Sequence, residues 1–365
     1  MEDKKIKILY LLNSSEIGGT EKSLLLLIDN LNKKKFDIYI ICLRGEGTFT
    51  DEIKKRNIFA YIYDLKKEPL SIFIVYKKIK KINPDICQSF LFISNLIGRI
   101  LGKIAGIKII ISSQRSVDKW RKWYHWKIDR LTSKLSTIII SNSFSGKKYL
   151  VEKGKINEKK IVVIPNGVKY PTEKRTFSKS SFGFSENSIV IGNVGNLRKV
   201  KGQEIFIKIC KVISENFPDV KFLIAGEGPL KVYLKHLTEV FGVKDKFVFA
   251  GFVKEIERVY SAIDIFVLTS QWEGCPLSVL EAMSFGIPVV SFSVGDVPYI
   301  IQNGKDGFVV KDRNSEELVN KIKQLLEDKN LKEIIGINAK EKIKKEFTID
   351  KMVERYSELY INLLK

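Results

Sequence analysis

The hydrophobic residues of this chain fall into short apolar runs, separated by longer stretches in which apolar residues recur every three or four positions. The short runs predict buried strands, and the helical spacing between them predicts connecting helices. In the first half, strands are predicted near 6–12, 37–43, 58–63, 85–90, 107–112, 137–141 and 161–164. Helices are predicted between most of them, near 23–31, 70–82, 92–105, 118–134 and 144–152.

A second series of the same kind begins after a polar stretch. Its strands are predicted near 189–194, 220–225, 246–250, 264–269, 287–292 and 307–310. Its helices are predicted near 202–216, 230–241, 255–262, 277–285, 315–327 and 330–346. This alternation is typical of parallel sheets with helices on both faces. We therefore predict an α/β protein with two doubly wound domains and a ligand cleft between the carboxyl ends of their strands.

The polar stretch and the last helix set the predicted domain boundaries. The first domain is predicted at 1–168, a linker at 169–187, the second domain at 188–346 and a final helix at 347–365. The final helix has an apolar face that needs a packing partner, made of Met352, Tyr356, Leu359, Tyr360 and Leu363.

Length and composition favour a cytoplasmic protein with two hydrophobic cores. The chain has 365 residues, of which 44% are hydrophobic, and charges interrupt every apolar run before it could span a bilayer. The amino terminus leads directly into a strand, so we expect no signal peptide. The four cysteines are isolated and only two histidines are present, so we expect reduced cysteines and no metal site.

Positive charge is concentrated in the first half of the chain. Residues 1–175 contain 36 Lys and Arg against 17 Asp and Glu, a net charge of +19, and the remaining residues contribute only +2. A lysine-rich proteome would raise the net charge of the whole chain, but it would not concentrate that charge in one half. Nucleic acid, anionic lipid or an anionic substrate would each account for it.

The segment Glu273–Glu281 holds two carboxylates eight residues apart around a Gly-Cys-Pro turn. An apolar run precedes it, and Pro276 suits the first turn of the helix that follows. Free N–H groups at such a helix start bind anions or hydroxyl oxygens. If the whole segment were helical, the carboxylates would lie about 12 Å apart, which fits a sugar nucleotide but not a shared proton. The alternative is a helix with two ordinary glutamates.

Other strand-to-helix loops carry residues that suit a nucleotide. Arg198 and Lys201 flank a predicted helix start, where they would neutralise a diphosphate, although a solvated basic loop is the alternative. Gly18 and Gly19 follow the first strand and would let a ligand approach the backbone, although a plain tight turn fits equally well.

These motifs occur together in a familiar order. The matching elements are Gly195-x5-Lys201-Gly202, Ala225-Gly226-Glu227-Gly228-Pro229, Ala262-x-Asp264, Ser270-x2-Glu273-Gly274-x-Pro276-x4-Glu281-Ala282-Met283, Gly286-x-Pro288-Val289-Val290 and Asp306-Gly307. With them the chain closely resembles the retaining nucleotide-sugar glycosyltransferases of family 4, which have the GT-B fold. The match is near continuous over 188–310, and sparser in the first half.

The resemblance implies a role for each matching residue. Glu273 is implied to bind hydroxyls of the donor sugar, and Glu281 those of the ribose. Arg198 and Lys201 are implied to hold the diphosphate, so that Glu273, Arg198 and Lys201 form the catalytic set. The other donor-binding positions are implied to be Gly18, Gly19, Gly226, Gly274, Cys275, Pro276, Leu277 and Ser278. Independently of the resemblance, Gly251, Phe252 and Val253 follow a predicted strand and would offer backbone groups and apolar side chains to a base ring, although an ordinary strand exit is the alternative. The final helix is implied to cross back onto the first domain.

The family's chemistry implies neither a protein nucleophile nor a metal or other cofactor. Retention in this family is ascribed to attack on the face that the leaving group departs from, with the leaving phosphate taking the proton of the acceptor. Sugar transfer passes through an oxocarbenium-like state, and fixed cations stabilise the charge that grows on the diphosphate.

Three positions depart from the family pattern. Many relatives have a histidine in the loop after the strand at 107–112, where this chain has Gln114 and Arg115 as acceptor-side candidates. Many also have a glutamate where this chain has Tyr299, and an arginine where it has Asn196. Arg198 is the candidate to replace that arginine.

A dense basic and aromatic run lies at 119–128 and includes Trp120, Arg121, Lys122 and Trp123. Interleaved tryptophans and cations suit the surface of an anionic bilayer. This pattern predicts a peripheral enzyme on the inner face of the cytoplasmic membrane, which reaches a lipid-linked or glycan acceptor. The alternative is an ordinary helix with two core tryptophans, and His125 is interpreted as a packing residue.

Two other functions would fit part of the sequence. A nucleic-acid-binding protein would explain the positive charge, but the chain has no RNA or DNA module signature, so we expect no nucleic acid partner. A GT-B enzyme that hydrolyses or epimerises nucleotide sugars would share the donor motifs. The donor base, the sugar, the acceptor and the oligomeric state are left open by the sequence.

Overall fold

The computed structural model describes residues 5–116, 120–171 and 177–365, which form two compact units. The first unit contains the chain up to Gly167 together with Ile349–Lys365, and the second contains Val168–Thr348. The last helix thus belongs to the unit in which the chain begins.

The first unit is built from strands and helices in strict alternation. Its strands are β1 (Ile6–Leu12), β2 (Phe36–Cys42), β3 (Phe59–Ile62), β4 (Ile86–Phe90), β5 (Ile109–Gln114), β6 (Ile138–Ser141) and β7 (Ile161–Val163). Its helices are α1 (Gly19–Asn30), α2 (Thr48–Lys55), α3 (Ser71–Ile82), α4 (Leu91–Ile104), α5 (Trp123–Ser133), α6 (Phe144–Glu152) and, at the end of the chain, α14 (Ile349–Leu364).

The seven strands form one parallel sheet in the order β3-β2-β1-β4-β5-β6-β7. Helices cover both faces, since α1, α2 and α14 pack on one side and α3 and α4 on the other. The strand order reverses between β1 and β4, which is where doubly wound sheets bind ligands at their carboxyl ends. The predicted α/β architecture is confirmed.

Helix α14 packs against α1 with the apolar face that the sequence predicted. Met352, Tyr356 and Tyr360 are buried there. The Tyr360 hydroxyl donates to Oε1 of Gln88 at 2.6 Å and lies 3.1 Å from the hydroxyl of Tyr10. The implied return of the final helix to the first unit is therefore confirmed.

The second unit repeats the alternation. Its strands are β8 (Val190–Val194), β9 (Lys221–Ala225), β10 (Phe247–Gly251), β11 (Ile265–Leu268), β12 (Val289–Phe292) and β13 (Phe308–Val310). Its helices are α7 (Gln203–Asn216), α8 (Lys231–Val240), α9 (Ile256–Ala262), α10 (Leu277–Ser284), α11 (Val297–Ile300), α12 (Ser315–Glu327) and α13 (Lys329–Glu346). The strands form a parallel sheet in the order β10-β9-β8-β11-β12-β13.

The structure differs from the predicted elements in a few places. Helix α2 was not predicted, because only Phe49 and Ile53 supply its apolar face and two residues give no clear period. Residues 177–187 of the predicted linker pack on the second unit, where Phe184 is buried and Lys179 forms an ion pair with Asp264 at 2.6 Å. Within the described residues, none of the helices is long and apolar enough to cross a bilayer.

Candidate functional site

The loops that follow β8, β9 and β10 are joined by backbone hydrogen bonds. The N–H of Gly195 donates to the carbonyl of Ala225 at 3.0 Å, and the N–H of Gly226 donates to that of Gly251 at 2.8 Å. Gly226 has a φ of 141°, and a Cβ there would overlap the Gly195 carbonyl oxygen. Glycine is required at this close approach, and the three loops form one fixed edge of the sheet.

Lys201 ends a single 3₁₀ turn, Lys199–Lys201, that leads into α7. Gly202 follows with a φ of 65° and lies against the backbone of Thr269, so the turn is fixed to the end of β11. Arg198 begins the turn and its side chain is exposed. The two predicted diphosphate-binding cations therefore lie at opposite ends of one short turn.

The carboxylate of Glu273 contacts one of the two predicted cations. Its Oε1 accepts a hydrogen bond from Lys201 Nζ at 2.7 Å and another from Ser270 Oγ at 2.7 Å. Within the described part of the chain, no donor contacts its Oε2. The protein therefore holds Glu273 by one oxygen, and the second oxygen is available for the hydroxyl of a ligand.

The loop after β12 supports the backbone around Glu273. Asp296 donates its N–H to the carbonyl of Gly274 at 2.8 Å, and Gly295 is packed so tightly that a Cβ would overlap the carbonyl of Glu273. Helix α10 begins only at Leu277, with Pro276 in extended conformation before it. The separation of about 12 Å that we derived for a fully helical segment therefore does not apply.

Glu281 is held by a residue that the sequence did not indicate. The hydroxyl of Tyr260, on α9, donates to Glu281 Oε2 at 2.8 Å. Burial, and after it the charge of Glu281, raises the pKa of Tyr260 well above its usual value, so the hydroxyl stays protonated and donates. No local motif points to Tyr260, because a buried aromatic residue on an amphipathic helix is typical of any core.

Other predicted donor-binding residues of the second unit lie in the loops after β11 and β10. Gly274, Cys275 and Pro276 are buried between β11 and α10, and Leu277 and Ser278 form the first turn of that helix. Gly251 ends β10, and Phe252 after it is 71% exposed while Val253 is half-buried. An exposed aromatic ring beside a fixed loop is suited to stack on a ligand.

Gly18 and Gly19 lie in the first unit, where they begin α1. The N–H of Gly18 donates to the buried carboxylate of Glu21 at 2.9 Å, which closes the start of the helix. We predicted a helix start near 23, but this hydrogen bond lets the helix begin at the glycines themselves. The loop before them is fixed to α2 by a hydrogen bond from the N–H of Ile17 to Thr48 Oγ1.

Gln114 and Arg115, the acceptor-side candidates, are both buried and bonded to the protein. Arg115 donates to Oδ1 of Asn166 at 2.6 Å, and its Nη1 lies 3.4 Å from the hydroxyl of Tyr356 on α14. Gln114 accepts from Arg121 Nη2 at 3.0 Å. As the chain stands in this structure, both side chains fix the end of β5.

The predicted membrane-contact residues divide into two groups. Trp120, Lys122 and Trp123 are exposed, and Lys119 lies outside the described residues. The prediction was wrong for Arg121, which is buried, forms an ion pair with Asp129 at 2.8 Å, and stacks between Phe92 and Trp126. The buried carboxylate of Asp129 needs charged partners, and Arg121 and Arg99 supply them.

Two sequence models of known families match the chain. The model described as Glycosyltransferase Family 4 matches residues 17–170, and the model described as Glycosyl transferases group 1 matches residues 174–342. The chain is 28% identical over 389 residues to the UDP-Gal:alpha-D-GlcNAc-diphosphoundecaprenol alpha-1,3-galactosyltransferase of Escherichia coli, covering 99% of this chain and 98% of that protein. It is 25% identical to the capsular polysaccharide biosynthesis glycosyltransferase CapM of Staphylococcus aureus, covering 93% of each.

Among solved structures, the crystal structure of Anabaena Alr3699/HepE in complex with UDP-glucose superimposes with a TM-score of 0.87. The alignment covers 98% of this chain and 100% of that one at 20% identity, a similarity that establishes the shared fold. The two family matches leave only residues 171–173 between them and cover both doubly wound units. By its sequence and by its fold, this chain belongs to the family 4 glycosyltransferases of the GT-B fold.

Proposed function

We propose that this chain is a retaining hexosyltransferase, which moves a sugar from a nucleotide-diphosphate sugar to a glycan or lipid-linked acceptor in cell-surface polysaccharide synthesis. The observation that carries the proposal is the pairing of Lys201 with Glu273 at 2.7 Å, just before the first turn of α10. A sugar diphosphate needs a cation for its phosphates next to an acceptor for its sugar hydroxyls. This pair supplies both.

The two members of the pair keep capacity for a ligand. An ammonium group has three protons, and Lys201 donates to Glu273 with one of them, so others are available to phosphate oxygens. Glu273 likewise has Oε2 for a sugar hydroxyl. The exposed guanidinium of Arg198 adds a second cation that can move to the diphosphate when it binds.

The reaction that fits these groups is a direct displacement at one face of the sugar. The bond between the anomeric carbon and the diphosphate oxygen breaks, and a new bond forms to the acceptor oxygen on the same face. The acceptor proton passes to the leaving phosphate oxygen. Lys201 and Arg198 stabilise the charge that grows on that oxygen, so we propose that neither a metal nor a protein nucleophile is needed.

Glu281 fits the ribose end of the donor. Its carboxylate is fixed by the buried Tyr260 hydroxyl, and hydroxyl groups of a ribose bind well to a carboxylate held in place. We propose uridine as the donor base, because the Escherichia coli relative is named for a UDP-sugar and the Anabaena structure contains UDP-glucose.

We propose a lipid-linked acceptor at the inner face of the cytoplasmic membrane, where the enzyme would be peripheral. The name of the Escherichia coli relative specifies a diphosphoundecaprenol acceptor, and that of the Staphylococcus aureus relative specifies capsular polysaccharide. The excess of positive charge in the first half of the chain favours the same location.

A two-stage experiment tests the proposal. Thermal shift with UDP-, GDP- and ADP-sugars identifies the donor, with Glu281→Ala as the control that should lose the shift. Transfer to polyprenyl-diphosphate sugars is then followed by mass spectrometry, and proton NMR of the product gives the anomeric configuration. We expect transfer with retention, which persists in the presence of a chelator.

Paired variants of the 3₁₀ turn show whether the site itself is responsible. Lys201→Ala should lower kcat by about 10²–10³, the usual effect of removing one charge-stabilising group. Lys199→Ala removes an exposed cation from the same turn and should leave kcat nearly unchanged. Release of free sugar without transfer would make the protein a hydrolase or epimerase instead, and inversion would refute the proposed displacement.

A further inference from the structure

Helix α4 has its polar and apolar residues on unexpected sides. Its buried positions include Asn95, which donates to the carbonyl of Ser113, and Arg99, which pairs with Asp129 at 2.5 Å. Three of its four exposed positions are isoleucines, of which Ile100 is 39% exposed and Ile104 is 63% exposed, and the fourth is Lys103. A surface helix of a soluble domain normally presents polar residues to water, so the outer face of α4 is built to contact something apolar.

The neighbouring helices extend this apolar face. Helix α4 contacts both α3 and α5. Helices α3 and α4 are buried against the face of the first sheet opposite to α1 and α14. Helix α5 lies on the same face, since its Asp129 pairs with Arg99 of α4. We call the outer side of these helices the α3–α5 surface. Its exposed large apolar residues are Phe73, Ile74, Ile93, Ile100, Ile104, Trp120, Trp123, Tyr124, Ile128 and Leu131.

The exposed charges on the α3–α5 surface are all positive. Along α3, α4 and the stretch 120–134, which the structure describes completely, the one carboxylate is Asp129, and it is buried between Arg99 and Arg121. The exposed cations are Lys77, Lys80, Lys81, Lys103, Lys122, Lys127, Arg130 and Lys134. The apolar residues are therefore interspersed with cations alone.

This composition distinguishes between possible occupants. An anionic bilayer accepts isoleucine and leucine side chains below its headgroups, aromatic rings at the headgroup level, and cations against lipid phosphates. A second copy of the same surface, related by a twofold axis, would bring like charges together. The charge pattern therefore favours a lipid surface over self-association.

We propose that the α3–α5 surface docks this protein on an anionic membrane, with α4 as its apolar centre. The proposal rests on the proposed function for its purpose, which is to reach a lipid-linked acceptor, but its evidence is independent of the donor site. Arg121 supports the surface from below, because it pairs with Asp129 and stacks on Phe92 and Trp126. Trp120, beside it in the chain, packs edge-on against Phe92 and is thereby held at the edge of the surface.

Binding of the full chain to vesicles tests the proposal. Co-sedimentation is measured with phosphatidylglycerol vesicles and with phosphatidylcholine vesicles. The apolar variant is Ile100→Ser with Ile104→Ser, and its matched control is Val232→Ser with Val240→Ser, two exposed valines on α8 of the second unit. The charge variant is Lys127→Glu with Arg130→Glu, and its control is Lys33→Glu with Lys34→Glu, which makes the same charge change outside the surface.

We expect the wild type to bind anionic vesicles. The apolar variant should weaken this binding about tenfold or more, and the charge variant should weaken it about twentyfold or more. Both controls should bind within about twofold of the wild type, and all variants should keep the wild-type affinity for UDP measured by calorimetry. Trp123 fluorescence, compared with Trp123→Phe, should be quenched by brominated lipid.

Three results would overturn the proposal. The first is the absence of preference for anionic vesicles, and the second is an equal loss of binding in a variant and its matched control. The third is a concentration-dependent dimer, measured by sedimentation velocity, that Ile100→Ser with Ile104→Ser dissociates, since the occupant would then be a second copy. A wild type that binds vesicles but no nucleotide would refute the donor site and leave the membrane surface standing.

Discussion

The two glutamates of the candidate site are oriented by different means. Glu273 is held by an ammonium group and a hydroxyl that both contact one oxygen, and Glu281 is held by a tyrosine hydroxyl that is itself buried. Each side chain is thus fixed before a ligand arrives, so that little conformational entropy is lost on binding. Removal of a supporting group should weaken binding without any change in the glutamate.

Tyr260→Phe should weaken UDP binding about fivefold, or by ~1 kcal/mol, because the Glu281 carboxylate loses the hydrogen bond that orients it. Isothermal titration calorimetry measures the change, and Tyr233→Phe, on the exposed side of the same unit, serves as the control. Since the pKa of Tyr260 is raised, deprotonation should not mimic the mutation anywhere below its ordinary value of 10.0. An unchanged affinity for UDP would show that Glu281 does not bind the nucleotide.

The cysteines should be inert in the folded protein. Burial raises the pKa of the Cys42 and Cys87 thiols to about 12 and that of Cys210 well above its usual value, and Cys275 is also buried. Iodoacetamide at mildly alkaline pH should therefore label none of the four in the native state and all four in denaturant, as mass spectrometry would detect. Rapid native labelling would contradict this burial.

The same pKa shifts set the sign of a pH effect on stability. An unfolded cysteine ionises near 9.0, whereas the folded thiols stay protonated, so the unfolded state alone loses protons above that pH. The contribution of these thiols to stability is complete below pH 9.0 and falls as the pH rises further.

At the scale of elements, the carboxyl ends of β8, β9, β10 and β11 are fixed to one another in part through glycines. Gly202 and Gly226 both have positive φ and both lie against the backbone of a neighbouring loop. A side chain at either position would separate two loops that carry site residues. The glycines of the family motif therefore set the geometry of the loops that follow these strands, including the 3₁₀ turn that carries Lys201.

Gly202→Ala and Gly242→Ala form a matched pair. Both glycines have a φ near 66°, with 65° at Gly202 and 67° at Gly242, but a Cβ at Gly202 would overlap the carbonyl of Thr269 whereas Gly242 faces open space. Gly242→Ala should cost about 1 kcal/mol for the backbone strain alone. Gly202→Ala should cost about 1–3 kcal/mol more because of the overlap. Urea unfolding gives both values, and equal losses would show that the overlap relaxes freely.

The sequence predicted helices and strands well where apolar residues recur at a regular spacing, and poorly where a contact between residues distant in sequence decides the structure. The long helices α7, α12 and α13 and every strand lay within a few residues of their predicted places. The start of α1 depends on the carboxylate of Glu21 beneath Gly18, which no periodicity reports. The end of the predicted linker is ordered by a contact between Lys179 and Asp264, 85 residues apart in the chain.

The candidate site shows the same division. Glu273, Lys201 and Glu281 were implied by the resemblance to the family motif, and the structure brings Lys201 and Glu273 into contact. Tyr260 was not implied, because its role exists only when α9 lies beside α10. Arg121 was misinterpreted for a related reason, since its buried partner Asp129 sits eight residues further along and only the folded helix brings them together.

At the scale of the whole molecule, charge and polarity are divided between the two units. The first half of the chain has nearly all the net positive charge, and the α3–α5 surface displays part of it among apolar residues. The second unit, with the candidate donor site, is close to neutral in its share of the sequence. One unit is thus suited to meet an anionic surface, and the other to bind a soluble donor.

The last helix belongs to the first unit by its contacts, so changes in it should affect that unit alone. Tyr360→Phe removes the hydroxyl that donates to Gln88 Oε1 and that contacts Tyr10, and leaves both polar groups buried without that partner. Such a loss costs about 1–3 kcal/mol. Hydrogen exchange should therefore accelerate at the amides of β1, β4 and β5, next to Gln88, while β8 to β13 keep their wild-type rates.

Val240→Ser, in the second unit, is the converse control and should leave the exchange rates of β1, β4 and β5 unchanged. Faster exchange in both sheets after Tyr360→Phe would mean that the two units unfold as one, although each has a hydrophobic core of its own.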